Sequence, residues 1–134
     1  MECPFCQIMK HQADARIIHE TENMIAFLDI DPINEGHVLI IPKIHESTIE
    51  KIPPLMLNEI VLFLQKMSIV LKKVYQADGY SIMQNGGECC DFGHAHFHIF
   101  PRYKNDGFGW KYPDGPFEVS DEVVSKLKSV LSDK

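Results

Sequence analysis

The chain carries few positive charges for its length. Its 134 residues include 13 Lys and Arg against 19 Asp and Glu, and the formal net charge is −6 with His neutral. A protein that grips nucleic acid through its phosphates needs clustered Lys and Arg. The charge balance therefore argues against a nucleic-acid polymer as the partner.

The sequence also lacks a long apolar run. No uninterrupted stretch approaches the roughly 20 apolar residues that cross a bilayer, and nothing near the N-terminus resembles a signal peptide. Repeats, linkers and low-complexity segments are missing as well. With 45% hydrophobic residues the chain can bury a core. We therefore expect a single domain over residues 1–134, in a cytoplasmic protein with no membrane partner and with reduced thiols.

The order of sequence patterns predicts an α+β domain with an antiparallel sheet. Apolar residues at spacings of three and four predict one long helix over 53–77, and a short helix is expected over 4–12. Runs rich in β-formers, bounded by turn residues, predict about five strands. These strands are expected over 16–19, 23–28, 37–41, 80–84 and 94–100.

Residues 103–134 combine an aromatic-rich loop with a short helix. Ser120 is placed to cap a helix over 121–131. The loop before it, 104–117, holds aromatic residues among Asn, Asp, Gly and Pro. We expect the apolar residues of the helix to face inward, namely Val123, Val124, Leu127 and Leu131.

Three histidines alternate with small or apolar residues in His94–Phe100. Strict alternation predicts a half-buried strand, with His94, His96 and His98 on one face and the intervening residues in the core. Pro101 cannot donate to a ladder, and we expect it to end the strand. Such a cluster leaves two functions open, metal ligation or nucleophilic attack on phosphorus or a carbonyl. Neighbours on one face lie about 6.5–7 Å apart, which favours divided roles over one shared ion.

Cys3 and Cys6 form a Cys-x-x-Cys pair. In a reduced compartment such a pair is either a redox dithiol or half of a zinc site. The redox interpretation requires a preceding strand, which is missing here, so zinc is favoured. His45 and one triad histidine are candidates to complete a closed tetrahedral site. Cys89-Cys90 is read as part of a loop near the histidine strand.

Two loops carry polar groups suited to a nucleotide. The Gly-rich loop Gln84–Glu88 offers backbone N–H groups and amide side chains that can cradle a phosphate without Lys or Arg, although a generic hairpin loop has the same composition. Asp29, between Phe27 and Ile30, either accepts hydrogen bonds from ribose hydroxyls beside an apolar base site or caps a turn. His37 opens a buried strand and needs a hydrogen-bond partner.

Taken together, these motifs resemble the histidine-triad (HIT) superfamily, in particular its zinc-containing, Hint-like bacterial nucleotide hydrolases. The His-x-His-x-His-apolar-apolar signature is complete in His94–Phe100, and Pro101-Arg102 follows it. Phe27–Ile30 and Gly36–Lys43 match two further motifs in the right order. The resemblance covers about residues 3–102, and it implies the HIT-like fold.

The resemblance implies covalent catalysis at the triad. His96 would attack the α-phosphorus of a nucleotide and form a nucleotidyl-histidine that water resolves. His98 would hold the α-phosphate or aid proton transfer, and His37 would support the triad through hydrogen bonds. The expected product is a nucleoside monophosphate, AMP above all, released from an amine, acyl or phosphate leaving group. A dinucleoside polyphosphate hydrolase, a nucleotide-binding regulatory protein and a metalloenzyme that uses the triad as ligands stay as alternatives.

The resemblance also implies the nucleotide and metal contacts. The expected partner is a purine nucleotide or nucleotide conjugate. Its expected contacts are Phe5, Ile8, Phe27, Asp29, Ile30, Gln84, Asn85, Asp91 and His98. A structural zinc would be held by Cys3, Cys6, His45 and His94. The triad is thereby divided into one metal ligand and two catalytic residues.

One segment departs from the family pattern. Cys89-Cys90-Asp91 stands where many relatives carry Gly, Gln and Ser before the triad, and the loop is one residue shorter. The departure predicts a remodelled leaving-group side, and Asp91 disfavours highly charged polyphosphates. Family members are commonly homodimers, which implies a second copy as partner. The tail aromatics of 107–112 would then close the pocket or pack on that copy.

Overall fold

Five antiparallel strands and three α-helices make up the part of the chain that the computed structural model describes, residues 3–133. The helices are α1 Pro4–Met9, α2 Pro54–Tyr75 and α3 Asp121–Leu131. The strands are β1 Ile17–Glu20, β2 Met24–Leu28, β3 Val38–Pro42, β4 Gly79–Gln84 and β5 Phe97–Arg102. They form one sheet in the order β1-β2-β3-β5-β4, and every neighbouring pair is antiparallel. The α+β prediction is confirmed, with five strands, one long helix and short terminal helices.

Alternation along the central strands divides the core between two faces of the sheet. On one face, α2 covers a cluster that includes Ala95, Phe97 and Ile99, so the predicted inward residues of the histidine segment are confirmed. On the other face, a smaller cluster forms around Phe5 of α1. Because successive side chains of a strand point to opposite faces, His98 of β5 lies on the α1 face. The functional site is therefore built between α1 and the sheet.

The amphipathic stripe of α2 accounts for its place on the sheet. Ile60, Leu64, Met67 and Leu71 are buried against the core cluster. By length and composition alone, this helix would also qualify as a membrane span. However, one apolar face of the helix is buried against the sheet, as in the core helix of a globular domain. The helix ends where Gln76 adopts a left-handed conformation, two residues before the predicted end.

The histidine strand begins and ends later than predicted. His94, Ala95 and His96 precede β5, and the backbone N–H of Ala95 donates to the carbonyl of Glu46 instead of to a neighbouring strand. Pro101 does not end the strand, since β5 continues to Arg102 and pairs with β4 to that point. β3 pairs with β5 only over residues 97–99. Pro101 therefore has no β3 residue opposite it, and its missing backbone N–H removes no hydrogen bond to β3.

The expected inward face of the last helix is wrong. α3 spans the predicted residues, and the Ser120 hydroxyl accepts a hydrogen bond from the Val123 N–H at 3.3 Å, as a cap should. Leu127 is nevertheless 62% exposed and Leu131 81% exposed, with Val124 also exposed and Val123 half-buried. The reason is that no strand or helix among the described residues covers this face.

Candidate active site and metal centre

Two cysteines and two histidines meet where α1 approaches the start of β5. The Sγ atoms of Cys3 and Cys6 each lie 3.6 Å from Nδ1 of His94, and Cys6 Sγ lies 3.2 Å from Nδ1 of His45. All four candidate ligand atoms lie within 4.8 Å of one another. In a tetrahedral zinc site, bonds near 2.3 Å to sulfur and near 2.0 Å to nitrogen put S and N about 3.6 Å apart. The four side chains could therefore hold a metal ion.

The backbone around this cluster selects the nitrogen that faces the thiols. Nε2 of His94 lies 3.0 Å from the carbonyl oxygen of Pro42. A carbonyl only accepts, so Nε2 carries the proton and Nδ1 presents its lone pair to the cysteines. Burial lowers the pKa of His94 and keeps the ring neutral. A neutral, oriented imidazole beside two thiols fits a Cys2His2 centre, in which a backbone acceptor fixes the ligand tautomer.

His96 is held by the backbone of the same segment. Nδ1 of His96 lies 2.8 Å from the carbonyl oxygen of His94 and must donate to it. In the neutral ring, Nε2 is then the nitrogen with the lone pair. The side chain is only 4% exposed and lines a cavity, and the ring of Phe5 packs edge-on against it at 5.0 Å. The arrangement presents a fixed lone pair to whatever occupies the cavity.

His37 and His98 form a directional hydrogen-bond chain. The backbone N–H of Ile33 donates to Nδ1 of His37 at 3.0 Å, so Nε2 carries the proton of the neutral ring. That Nε2 lies 2.9 Å from Nδ1 of His98 and donates to it. Nδ1 of His98 is thereby an acceptor, and its Nε2 carries the proton. His98, which lines the cavity, can therefore donate there, whereas His96 can attack or accept.

Burial keeps the two linked histidines neutral. It is the largest cause that lowers the pKa of His98 to about 4, with further lowering from His96 and His37 and partial compensation from Asp29 and Asp91. Burial likewise lowers the pKa of His37, against the attraction of Asp29 and Asp31. Near neutral pH both rings are uncharged, as the hydrogen-bond chain requires.

Asp29 borders the histidine pair as well as the cavity. One carboxylate oxygen accepts a hydrogen bond from the Asp31 N–H at 2.9 Å, so the predicted turn contact exists. The other lies 3.5 Å from Nε2 of His37 and 4.0 Å from Nδ1 of His98. The same side chain lines the cavity wall. The carboxylate can thus accept hydrogen bonds from a ligand while it attracts the proton of His37.

A cavity of about 460 Å³ opens in front of the two histidines. Its walls come from α1, from β2 and β3 and from the loop before the triad. The lining residues are Pro4, Phe5, Ile8, Asp14, Ala15, Phe27, Leu28, Asp29, Ile30, Asp31, Leu39, Asp91, Phe92, His96 and His98. The part next to α1 is apolar and the remainder carries carboxylates. The volume and the mixed lining suit a small molecule with one apolar ring system.

Most residues predicted to contact a nucleotide line this cavity, but two do not. Gln84 and Asn85 lie outside the lining, and the Gln84 amide donates to the Asn85 carbonyl at 3.0 Å. Their predicted phosphate contact stays a prediction. The structure adds Asp14, Asp31 and Phe92, which sequence reasoning missed. Phe92 adjoins Asp91 and could have been suspected, whereas nothing in the sequence marks Asp14.

Comparison with known proteins gives matches over most of the chain. The family model described as the HIT domain matches residues 10–105. An uncharacterized HIT-like protein of Methanocaldococcus jannaschii is 38% identical over 94% of this chain and 98% of its own length. An adenosine 5'-monophosphoramidase of Candida albicans is 34% identical over 97% of this chain and 91% of its own.

Solved structures agree with the fold. A HIT family protein from Bacillus anthracis superposes with a TM-score of 0.83 at 32% identity. The superposition covers 97% of this chain and 94% of the Bacillus anthracis chain. A Zn-bound histidine triad family protein from Mycobacterium smegmatis superposes with a TM-score of 0.74 at 29% identity, with 96% of each chain covered. The fold, with its five-stranded sheet and one long helix, is therefore shared with these proteins.

Proposed function

This chain belongs to the HIT family, and we propose on that basis that it hydrolyses a nucleotide conjugate and releases AMP. The observation that carries the proposal is the pair of opposite tautomers in one cavity. His96 presents a lone pair at Nε2, and His98 presents a proton at Nε2. Displacement at phosphorus needs both a nucleophile and a proton donor. The relative named as an adenosine 5'-monophosphoramidase supports AMP as the released nucleotide.

The first step is nucleophilic attack by His96. Nε2 forms a bond to the α-phosphorus, and the bond from phosphorus to the leaving nitrogen or oxygen breaks. The leaving atom takes the Nε2 proton of His98, Nδ1 of His98 takes the proton that it shares with His37, and a solvent proton replaces it on His37, so that no imidazolate is left. Proton transfer from a positioned group typically contributes 10²–10⁴-fold. His37 would keep the proton of His98 on the cavity side through the hydrogen bond at 2.9 Å.

Water completes the reaction in the second step. A water oxygen bonds to the same phosphorus, and the bond from phosphorus to Nε2 of His96 breaks. One proton of that water returns to Nε2 of His98, the transfer to His37 reverses and His37 releases a proton to solvent, and the other water proton stays on the product until solvent removes it. The net reaction consumes one water and yields AMP and the free amine, acid or phosphate. Dividing one displacement into two lowers each barrier.

The nucleotide is proposed to lie along the length of the cavity. Phe5, Ile8 and Phe27 provide an apolar site for a purine, and Ile30 at the rim is fully exposed and free to cover it. Asp29 is proposed to accept the ribose hydroxyls, while His98 also binds the α-phosphate. The cavity volume of about 460 Å³ is within the usual range for a small-molecule site.

We propose zinc as the ion at the Cys3, Cys6, His45 and His94 cluster. Two thiolates and two imidazoles suit zinc better than magnesium or calcium, which prefer oxygen ligands. With four protein ligands there would be no open position, so the ion would be structural. The Zn-bound relative from Mycobacterium smegmatis supports this choice. Bound zinc would tie α1, which carries Phe5, to the start of β5.

We further propose a cytoplasmic homodimer. β4 is an edge strand of the sheet, and its Tyr80 and Ile82 are 45% and 44% exposed. On the outer face of α2, Val61 and Leu62 are also about half exposed. An unpaired strand edge and an apolar helix face next to it are features that a second copy would cover.

The test of the proposed function is a nucleotidyl-enzyme trap. Wild-type protein is mixed with α-³²P-labelled adenosine 5'-phosphoramidate and quenched, and label should stay on the protein. His96→Asn keeps an N–H donor for the carbonyl of His94 but removes the nucleophile, so kcat should fall by at least 10⁴-fold without trapped label. If His96→Asn turns over phosphoramidate and diadenosine polyphosphates as wild type does, the proposal is refuted.

A further inference from the structure

We propose, building on the hydrolase function above, that the preferred leaving group is a basic amine and that Asp91 binds its positive charge. The proposed substrate is therefore an adenosine 5'-phosphoramidate whose amine carries a second, protonated nitrogen. The reacting nitrogen is the one bonded to phosphorus, and it leaves with the proton donated in the first step. The distal ammonium group takes no part in the chemistry.

The charge of the cavity wall is the first observation behind this proposal. Asp14, Asp29, Asp31 and Asp91 line it, and no Lys or Arg does so among the residues described. Only Asp29 has its carboxylate engaged, with the Asp31 N–H and near His37. The other three carboxylates have no hydrogen-bond or ion-pair partner within residues 3–133. The wall thus presents unneutralised negative charge.

The second observation is independent of the carboxylates. His96 is 96% buried, yet its Nε2 has no hydrogen-bond partner in the described part of the chain and borders this same cavity. This nitrogen is open to the cavity, so its hydrogen-bond partner has to be a ligand or a water that occupies the cavity. The acidic wall and the nucleophile therefore belong to one ligand site rather than to a solvated surface.

Electrostatics then selects among leaving groups. The α-phosphate already brings a negative charge into an acidic cavity, and a polyphosphate chain would add several more. A leaving group with a positive charge offsets that repulsion, whereas a neutral one does not. Like charges at close range disfavour binding by the same Coulomb law that favours unlike ones. The cavity accordingly favours a cationic conjugate over a neutral one, and a neutral one over an anionic one.

Asp91 is the carboxylate best placed to interact with the charge of the leaving group. It lies three residues before His94 in the loop that departs from the family pattern, and it lines the cavity beside His96 and His98. Its negative charge also offsets part of the lowering of the His98 pKa. The side chain is exposed at the cavity mouth, which limits its effect to roughly fivefold.

Three conjugates of matched size test the proposal. AMP is linked through nitrogen to 4-aminobutyl, n-butyl or 3-carboxypropyl groups, and kcat/KM is measured at low and high salt. We expect the aminobutyl compound to be preferred about fivefold over butyl, and butyl about fivefold over carboxypropyl. Salt should compress both ratios. Rates that agree within twofold across the three compounds would overturn the proposal while leaving the hydrolase function intact.

Charge variants assign the effect to Asp91. Asp91→Asn should bring the aminobutyl and butyl compounds close together, and Asp91→Lys should reverse the ranking in favour of carboxypropyl. Glu50→Gln removes one exposed carboxylate outside the cavity lining, and it should keep the wild-type ranking. Unchanged ranking in both Asp91 variants would overturn the assignment. Failure of wild type to hydrolyse any of the three would instead refute the proposed function and this inference with it.

Discussion

Protonation of His98 should destabilise the fold below neutral pH. Its pKa is about 4 in the folded protein against 6.5 for an ordinary histidine, with burial as the main cause. Between these two values the unfolded chain binds a proton that the folded chain does not. The free energy of unfolding therefore starts to fall as pH drops through about 6.5, and the loss is complete near pH 4.

The size of this effect follows from the two pKa values. A full separation of about 2.5 units corresponds to roughly 3 kcal/mol. Between pH 7 and pH 5 the expected loss through His98 is about 2 kcal/mol. The side chain is 16% exposed, so solvent screening reduces this figure only in part.

Urea denaturation of wild type and His98→Asn at pH 7 and pH 5 measures the effect. Wild type should lose about 2 kcal/mol more than the variant over this interval. Both proteins keep the cysteine–histidine cluster, so any acid-induced loss of a metal cancels in the comparison. His19→Asn removes an exposed histidine that stacks on Phe63, and it controls for the loss of one imidazole. Equal pH dependence of wild type and His98→Asn would refute the reasoning.

Three further predictions address the metal, the hydrogen-bond chain and the dimer. Cys6→Ser should lose the bound metal and lower Tm by roughly 10 °C, measured by metal analysis and calorimetry, whereas Cys89→Ser should retain the metal. His37→Asn should lower kcat about 10–100-fold with little change in KM, because the donor to His98 is lost; steady-state kinetics with an unchanged kcat would contradict it. Ile82→Lys should convert a dimer to a monomer in sedimentation velocity, and a monomeric wild type would refute the dimer itself.

The alternation of histidine with apolar residues correctly predicted which side chains of β5 point into the core. It did not correctly predict where the strand begins and ends. Phe97 and Ile99 pack on α2 as the period of two requires. The strand start was missed because Ala95 bonds to the Glu46 carbonyl, a long-range contact that no local pattern reveals. The end of β5 was missed because a proline disrupts a strand only where a neighbouring strand needs its missing N–H. At Pro101, β4 is the only pairing partner of β5 among the described residues. Periodicity reports side-chain direction, whereas strand length depends on the partners.

The helix α3 shows a different limit of sequence reasoning. Its cap and its bounds are local properties, and Ser120 and the apolar spacing predicted both. The burial of its apolar face is not local, since it needs a surface to pack on. Leu127 has no such surface among the described residues of one chain. Gln84 depends on its surroundings in the same way, since its amide donates to the Asn85 carbonyl within its own loop, and its predicted phosphate contact stays a prediction.

His94 links the candidate metal centre to the candidate nucleophile. Its Nδ1 faces Cys3 and Cys6, and its backbone carbonyl accepts a hydrogen bond from Nδ1–H of His96. The position of that carbonyl determines which nitrogen of His96 is left free to attack. Any ion that fixes the ring of His94 would also restrain this carbonyl, because the two belong to one residue. The proposed division of the triad into one ligand and two reactive histidines would therefore also be a physical coupling between them.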